Sequence, residues 1–265
     1  MYATTYHRPS SVDEAAALFA KGSEAKYLAG GHTLIPVMKQ RLASPSDVID
    51  LAKIKELVGI DVSADAVTIK AATTHYDVAN SGAVQKAIPA LAHLASLIGD
   101  PAVRHRGTIG GSLANNDPAA DYPAAVLALG ATVQTNKRKI AADEFFKGMY
   151  ETALGADEII TAVSFPVPKK AAYVKFPNPA SRFALVGVFV AQTQSGVRVA
   201  VTGAAAHVHR ATAIENALAK SFTAGAAKAV KIPADHLNTD LHGSAEYRAH
   251  LVSVLASRAV AAAGG

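Results

Sequence analysis

The 265-residue sequence predicts an α+β chain in which a longer first part and a shorter second part meet at a proline-rich stretch. Three observations carry this expectation. Short apolar strands alternate with helical stretches through the first part. Val67-Thr68-Ile69-Lys70 alternates apolar and polar, the two-residue period of a half-buried strand. Beyond Pro166, Pro168, Pro177 and Pro179, two apolar runs precede one long helical segment.

Taken in order, Ser11 and Glu14 form a capping-box pattern ahead of a helix from Val12 to Ala20. Tyr27, Leu28 and Ala29 read as a short strand ending at Gly30-Gly31. A helical stretch from Leu34 to Arg41 follows, then a strand at Val48-Ile49-Asp50-Leu51. A second unit begins near Gly59 and includes a helix at about Pro89 to Ile98. Ala131 to Ile140 reads as a hairpin turning at Asn136-Lys137, and Ile159 to Phe165 as a further strand. The four prolines mark a boundary. After it, Phe183 to Gln192 and Val197 to Ala206 read as paired strands. Ser244 to Ala263 places Tyr247, Leu251, Val254, Leu255 and Arg258 at helical spacing and runs into Gly264, a suitable stop.

Half the residues are hydrophobic and 18% are charged, a globular composition. No apolar run approaches the roughly 20 residues that span a bilayer, and Met1 to Ser11 has no apolar signal region. A cytoplasmic location is the expectation. The net charge of +5 is spread over scattered basic residues, and Trp is absent, so no nucleic-acid surface stands out. Cys is absent too. The chain therefore cannot ligate an ordinary iron–sulfur cluster, form a disulfide or use a thiolate.

The most informative residues are Ala29-Gly30-Gly31-His32-Thr33 and Thr108-Ile109-Gly110-Gly111-Ser112. Glycine permits positive φ and close backbone approach. Successive N–H groups curled this way form an anion nest suited to a pyrophosphate, and Thr33, Thr108 and Ser112 add hydroxyls. Neither segment is a GxGxxG fingerprint or a Walker A loop, which disfavours a Rossmann or P-loop domain. A lone Gly-Gly pair is more often a plain turn; two beside Ser or Thr leave both readings open. Alone, Asp117 before Pro118 is a turn former, and Asp121 a cap for a helix begun by Pro123.

The full series is more specific. Ala29-Gly30-Gly31-His32-Thr33-Leu34-Ile35-Pro36, Ile98-Gly99-Asp100-Pro101, Arg106-Gly107-Thr108-Ile109-Gly110-Gly111-Ser112-Leu113-Ala114-Asn115 and Asp117-Pro118-Ala119-Ala120-Asp121 occur in that order. Lys175-Phe176, Ala180-Ser181-Arg182-Phe183-Ala184 and Gly243-Ser244-Ala245-Glu246-Tyr247-Arg248 complete it. The series resembles the FAD-binding medium subunit of the xanthine dehydrogenase and aerobic carbon monoxide dehydrogenase family, the molybdenum hydroxylases, over essentially the whole chain.

That resemblance implies an FAD-binding domain of the vanillyl-alcohol-oxidase (PCMH) type over residues 1–170, with subdomains of about 1–56 and 57–170. A smaller C-terminal α/β domain of the CO dehydrogenase flavoprotein type would cover 171–265. It implies noncovalent FAD, touched by Leu28 through Ile35, by Thr108 through Ser112, and by Asp121, Ile98, Ile160 and Lys175. No residue of the chain is expected to be catalytic or to bind metal. A small subunit with 2Fe-2S clusters and a large subunit with the molybdenum cofactor are the implied partners, in a dimer of heterotrimers. Two departures matter. Ser112 stands where many relatives carry Asn, which shortens that contact or routes it through water. No cysteine-bearing insertion follows the second glycine segment, which excludes the extra cluster that some relatives hold there.

Other features tempt. His207 and His209 alternate on an expected strand, but no third ligand can be placed, so both are read as solvent-facing. Arg104-His105-Arg106 serves either to balance the diphosphate, to meet a partner, or as a solvated turn. The competing functional reading is a free-standing FAD-dependent oxidase, against which the lack of a definable catalytic set argues. A subunit that has lost FAD is the third, and the intact glycine segments argue against it. The substrate of the complex (carbon monoxide, aldehyde, purine or N-heteroaromatic) and the final electron acceptor stay open.

Overall fold

The computed structural model describes residues 1–265. The first unit holds β1 (Thr5–His7), α1 (Val12–Lys21), β2 (Lys26–Leu28), α2 (Leu34–Lys39) and β3 (Asp47–Asp50). Its strands form a parallel sheet in the order β1-β3-β2, and α1 packs on it over Ile49, Leu51 and Ile54. Ser11 caps α1 by accepting the Glu14 N–H at 3.2 Å. The Glu14 carboxylate returns to Ser10 rather than Ser11, so the reciprocal half of the capping box is displaced by one residue.

The second unit opens with β4 (Ile60–Val62) and β5 (Ala66–Lys70). Short helices follow: α3 (His75–Asn80), α4 (Gly82–Ala87), α5 (Pro89–Ser96), α6 (Pro101–Arg104), α7 (Ile109–Asn115) and α8 (Tyr122–Leu129). Then come β6 (Thr132–Thr135), β7 (Lys139–Ala141), α9 (Ala142–Phe145), β8 (Phe146–Gly148), β9 (Glu151–Thr152) and β10 (Ile160–Pro166). An antiparallel sheet runs β4-β5-β10-β6-β7, and the expected hairpin is its β6–β7 edge.

The last unit holds β11 (Lys170–Pro177), β12 (Ala184–Thr193), β13 (Gly196–Thr202), β14 (His209–Arg210), α10 (Thr212–Lys220), α11 (Ala224–Lys228) and α12 (Ala245–Ala262). Its antiparallel sheet runs in that strand order. The strand β11 lies inside the proline-punctuated stretch that the sequence presents as a boundary. Pro177 sits at the strand's end, and β11 is an edge strand, where a missing N–H costs least. Arg248 of α12 is buried and donates Nη1 to Leu185 O (2.7 Å) and Gly203 O (2.9 Å), pinning the ends of β12 and β13.

Every residue of α8 is buried. A helix apolar on all sides belongs inside a core, and here it lies between the two antiparallel sheets. The largest core cluster therefore runs from Val67 and Ile69 through α8 to Phe189, Ala191 and Ala200. One hydrophobic core spans both parts of the chain. A second one, on the far face of β12 and β13, is closed by α10 and α12.

Candidate functional site

A cleft of about 1120 Å³ opens where the three units meet. Its walls come from the segment after β2, from α7 and the turn before it, and from Ala180 to Phe183 between β11 and β12. The volume exceeds the roughly 300–1,000 Å³ of ordinary small-molecule pockets.

The first glycine segment follows β2 directly. Gly31 has φ +78°, and no backbone or side-chain acceptor in the chain takes the N–H of Ala29, Gly30, Gly31, His32 or Thr33. Five successive unclaimed donors on the cleft wall could together hold an anion.

The second segment differs from the expected nest. Thr108 is the N-cap of α7, and Gly110 and Gly111 lie in its first turn with ordinary helical geometry. Its donors are already engaged: Ile109 N with Thr73 O (3.2 Å), Gly110 N with Ala71 O (2.8 Å) and Gly111 N with Thr108 Oγ1 (3.1 Å). These glycines serve close approach instead, since a Cβ on Gly110 would come within 2.6 Å of Ala71 Cβ. Two glycines mask the helix because they lower its intrinsic propensity.

Leu28, Ala29, Gly30, Gly31, His32, Thr33 and Leu34 all line the cleft, as do Ile98, Thr108, Gly110, Gly111, Ser112, Asp121 and Ile160. Three expected residues stand off its wall. Ile35 packs beneath Gly31, Ile109 is fully buried in the core, and Lys175 is turned into an ion pair.

That pair is the electrostatic centre of the junction. Asp121 does not cap α8; its Oδ2 accepts from Lys175 Nζ at 3.0 Å and its Oδ1 from the Tyr173 hydroxyl. Lys175 Nζ also donates to Leu97 O at 3.1 Å. Burial pushes the Asp121 carboxyl above its ordinary range, against the opposing pull of Lys175 and Tyr173. The other wall carboxylates are engaged as well. Asp100 caps α6 through Val103 N, Asp117 accepts from Ala119 N, and Glu158 is held by Arg138 at 3.0 Å, which lowers it to about 2.

Sequence reasoning missed His75, Tyr150 and the Ala180–Phe183 rim as wall residues. Tyr150 and Arg182 carry left-handed backbones (φ 55° and 62°) that the sequence gives no sign of. His75 is buried, and that burial, with His32 and Arg104 nearby, lowers its pKa to about 3. The unfolded chain binds a proton there below about 6.5 and the folded chain does not. Stability is therefore expected to fall as pH drops from 6.5 toward 3, by up to about 1.4 kcal/mol per pH unit from this group. Denaturant midpoints against pH check this, and an unchanged slope in His75→Gln would refute it.

The tempting histidines are half-buried, not solvent-facing: His209 Nδ1 lies 3.4 Å from His207 O, and burial lowers the His209 pKa. No group of three or more His, Cys, Asp or Glu residues is placed to hold a metal. Arg104 is structural, donating to Ile98 O and Gly99 O at 3.2 Å. No helix is long and apolar enough to cross a membrane.

Residues 2–168 match the family model described as the FAD binding domain in molybdopterin dehydrogenase, and residues 171–263 match the CO dehydrogenase flavoprotein C-terminal domain. The chain is 38% identical to the nicotine 6-hydroxylase medium subunit of Paenarthrobacter nicotinovorans, over 99% of this chain and 98% of that one. It is also 38% identical to the carbon monoxide dehydrogenase medium chain of Hydrogenophaga pseudoflava, over 97% and 96%. A solved structure of Cu,Mo-CO dehydrogenase superposes with a TM-score of 0.89 at 34% identity, covering 99% of this chain and 98% of that one. The five free N–H groups and the large, half-apolar cleft fit a dinucleotide carrying a diphosphate and a planar ring. With an FAD-binding domain joined to a flavoprotein C-terminal domain along its whole length, the chain belongs to the FAD-binding medium subunits of the molybdenum hydroxylase family.

Proposed function

We propose that this chain transfers electrons from iron–sulfur clusters on a small partner subunit to a final acceptor, within a complex whose large subunit oxidises substrate at a molybdenum cofactor. The run of unclaimed N–H groups from Ala29 to Thr33 carries the reading, because an internal structural turn would have engaged them. FAD bound in the cleft supplies the electron-carrying chemistry. The first glycine segment holds its diphosphate, and Thr108, Ser112, Ile98 and Ile160 shape the wall beside it. Asp121 and Lys175 fix the junction of residues 1–170 with residues 171–265, the two parts that bind and cover the cofactor. A dimer of heterotrimers in the cytoplasm is the assembly that this reading implies.

The isolated chain loaded with FAD is expected to show no reduction by carbon monoxide, aldehydes or purines. Adding the iron–sulfur and molybdenum subunits restores flavin bleaching by the complex's substrate. Turnover by the chain alone would favour a free-standing oxidase. FAD is held noncovalently, so acid denaturation releases all of it; flavin that stays with the denatured chain, for instance on His32, would contradict this.

A further inference from the structure

His75 is a polar side chain of the cleft with no partner in the chain. It opens α3, is 5% exposed, and lines the cleft between the two glycine segments. Its orientation is fixed: the backbone N–H donates to Gly107 O at 2.9 Å, and the ring packs on Tyr122 with centroids 5.4 Å apart. Nδ1 is sealed and has no hydrogen-bond partner. Nε2 is the nitrogen left open, beside Gly107, where a Cβ would approach it to 2.6 Å.

Burial keeps this imidazole uncharged in the free chain, so it carries a single N–H. An orphaned buried N–H is rarer than an under-used acceptor, which puts the proton on Nε2, toward the cleft. Gly107 is also the residue that Gly30 packs against, since a Cβ on Gly30 would come within 2.7 Å of Gly107 Cα. The open nitrogen therefore faces the junction of the glycine segments, where the free N–H groups begin. A group that satisfies those donors is rich in acceptor oxygens.

We propose that His75 is a positioning residue for the FAD diphosphate, its Nε2–H donating to a phosphate oxygen where Gly30 meets Gly107. This rests on the reading that the cleft holds FAD. The chain brings two kinds of donor to one diphosphate: main-chain N–H groups from the first unit, and one packed side chain from the second. The imidazole adds a donor without adding charge.

The test uses the full chain freed of flavin, with FAD, ADP and riboflavin as probes. ADP carries the diphosphate without the flavin ring; riboflavin carries the ring alone. His75→Leu is expected to weaken FAD and ADP by the same factor, about tenfold or more for a hydrogen bond to a charged group. Riboflavin binding and the shape of the bound-flavin spectrum stay unchanged. His75→Gln, whose amide N–H reaches near the Nε2 position, restores most of the affinity. Weaker FAD binding with unaltered ADP binding would overturn the proposal, as would unaltered affinity for both. A wild-type chain that binds no FAD overturns the reading of the cleft instead. Should His75→Leu fail to fold, the imidazole nitrogens of the wild-type chain are followed by NMR. A proton on Nε2 and a shift of that nitrogen on adding ADP support the contact, and a proton on Nδ1 or no shift overturns it.

Discussion

Replacing Gly30 with valine is expected to abolish FAD binding while leaving the secondary structure in place. A Cβ at this position would lie 2.2 Å from Arg106 O and 2.7 Å from Gly107 Cα, both backbone atoms with no rotamer to yield. The first glycine segment would have to move off the turn before α7, and the N–H groups from Ala29 to Thr33 would lose their shared rim. The expected loss is about a hundredfold or more in affinity, or about 2.8 kcal/mol. The first segment is half-buried to exposed from Ala29 to Thr33, where displacement is tolerated better than in the core. Gly111→Val should have a milder effect, since its Cβ would meet Thr108 Oγ1 at 3.1 Å and Ala29 Cβ at 3.4 Å. Gly110→Val is of another kind: contact with Ala71 Cβ and O at 2.6 and 2.8 Å strikes the core and damages the fold itself. Flavin content and circular dichroism on the three variants separate these outcomes. Full flavin occupancy in both Gly30→Val and Gly111→Val would remove the cleft as the FAD site.

The second large effect concerns stability. Asp121→Ala leaves Lys175, whose side chain is 3% exposed, without a counter-charge. Removing one partner of a buried ion pair costs about 3–5 kcal/mol, because the remaining charge stays desolvated. The loss should therefore reach well beyond a single polar contact of the cofactor. Asp121→Ala paired with Lys175→Met is expected to recover much of it, since exchanging a whole buried pair for apolar groups is often close to neutral. A double-mutant cycle in denaturant measures the coupling. Additive losses would show that the pair does not link the two parts of the chain.

Much of this organisation was legible in the residues because local signals and tertiary demands agreed. The helices at Val12 and Ala245 have Ser caps; the first starts at the expected residue and the second one residue after the expected Ser244, which caps it. The β6–β7 hairpin follows its turn residues, and the first glycine segment sits at the end of an apolar strand. Where the two disagreed, the sequence misled. Gly110 and Gly111 are poor helix residues held in a helix by the Thr108 cap and by contact with Ala71. A left-handed Asn116 after Asn115 was the available signal for its end. Strand β11 was hidden by prolines that an edge position tolerates. The ion-pairing of Lys175 and the burial of His75 depend on partners 54 and 32 residues away in the chain, Asp121 and Gly107, which no local pattern reveals.

The central position of β10 has a consequence for how the chain acquires its structure. Ile160–Pro166 is the strand between β5 and β6, pairing Val163 with both Ile69 and Val133. Until it is synthesised, β5 and β6 each present an open edge, and α8 lacks both of the sheets that enclose it. Closure of the sheet must bridge about ninety residues of chain, a slow, non-local step. Unpaired apolar strands are also templates for association with other chains. The nascent polypeptide thus presents these open edges until Pro166 leaves the ribosome, and shielding in that interval is expected to raise the yield of folded protein.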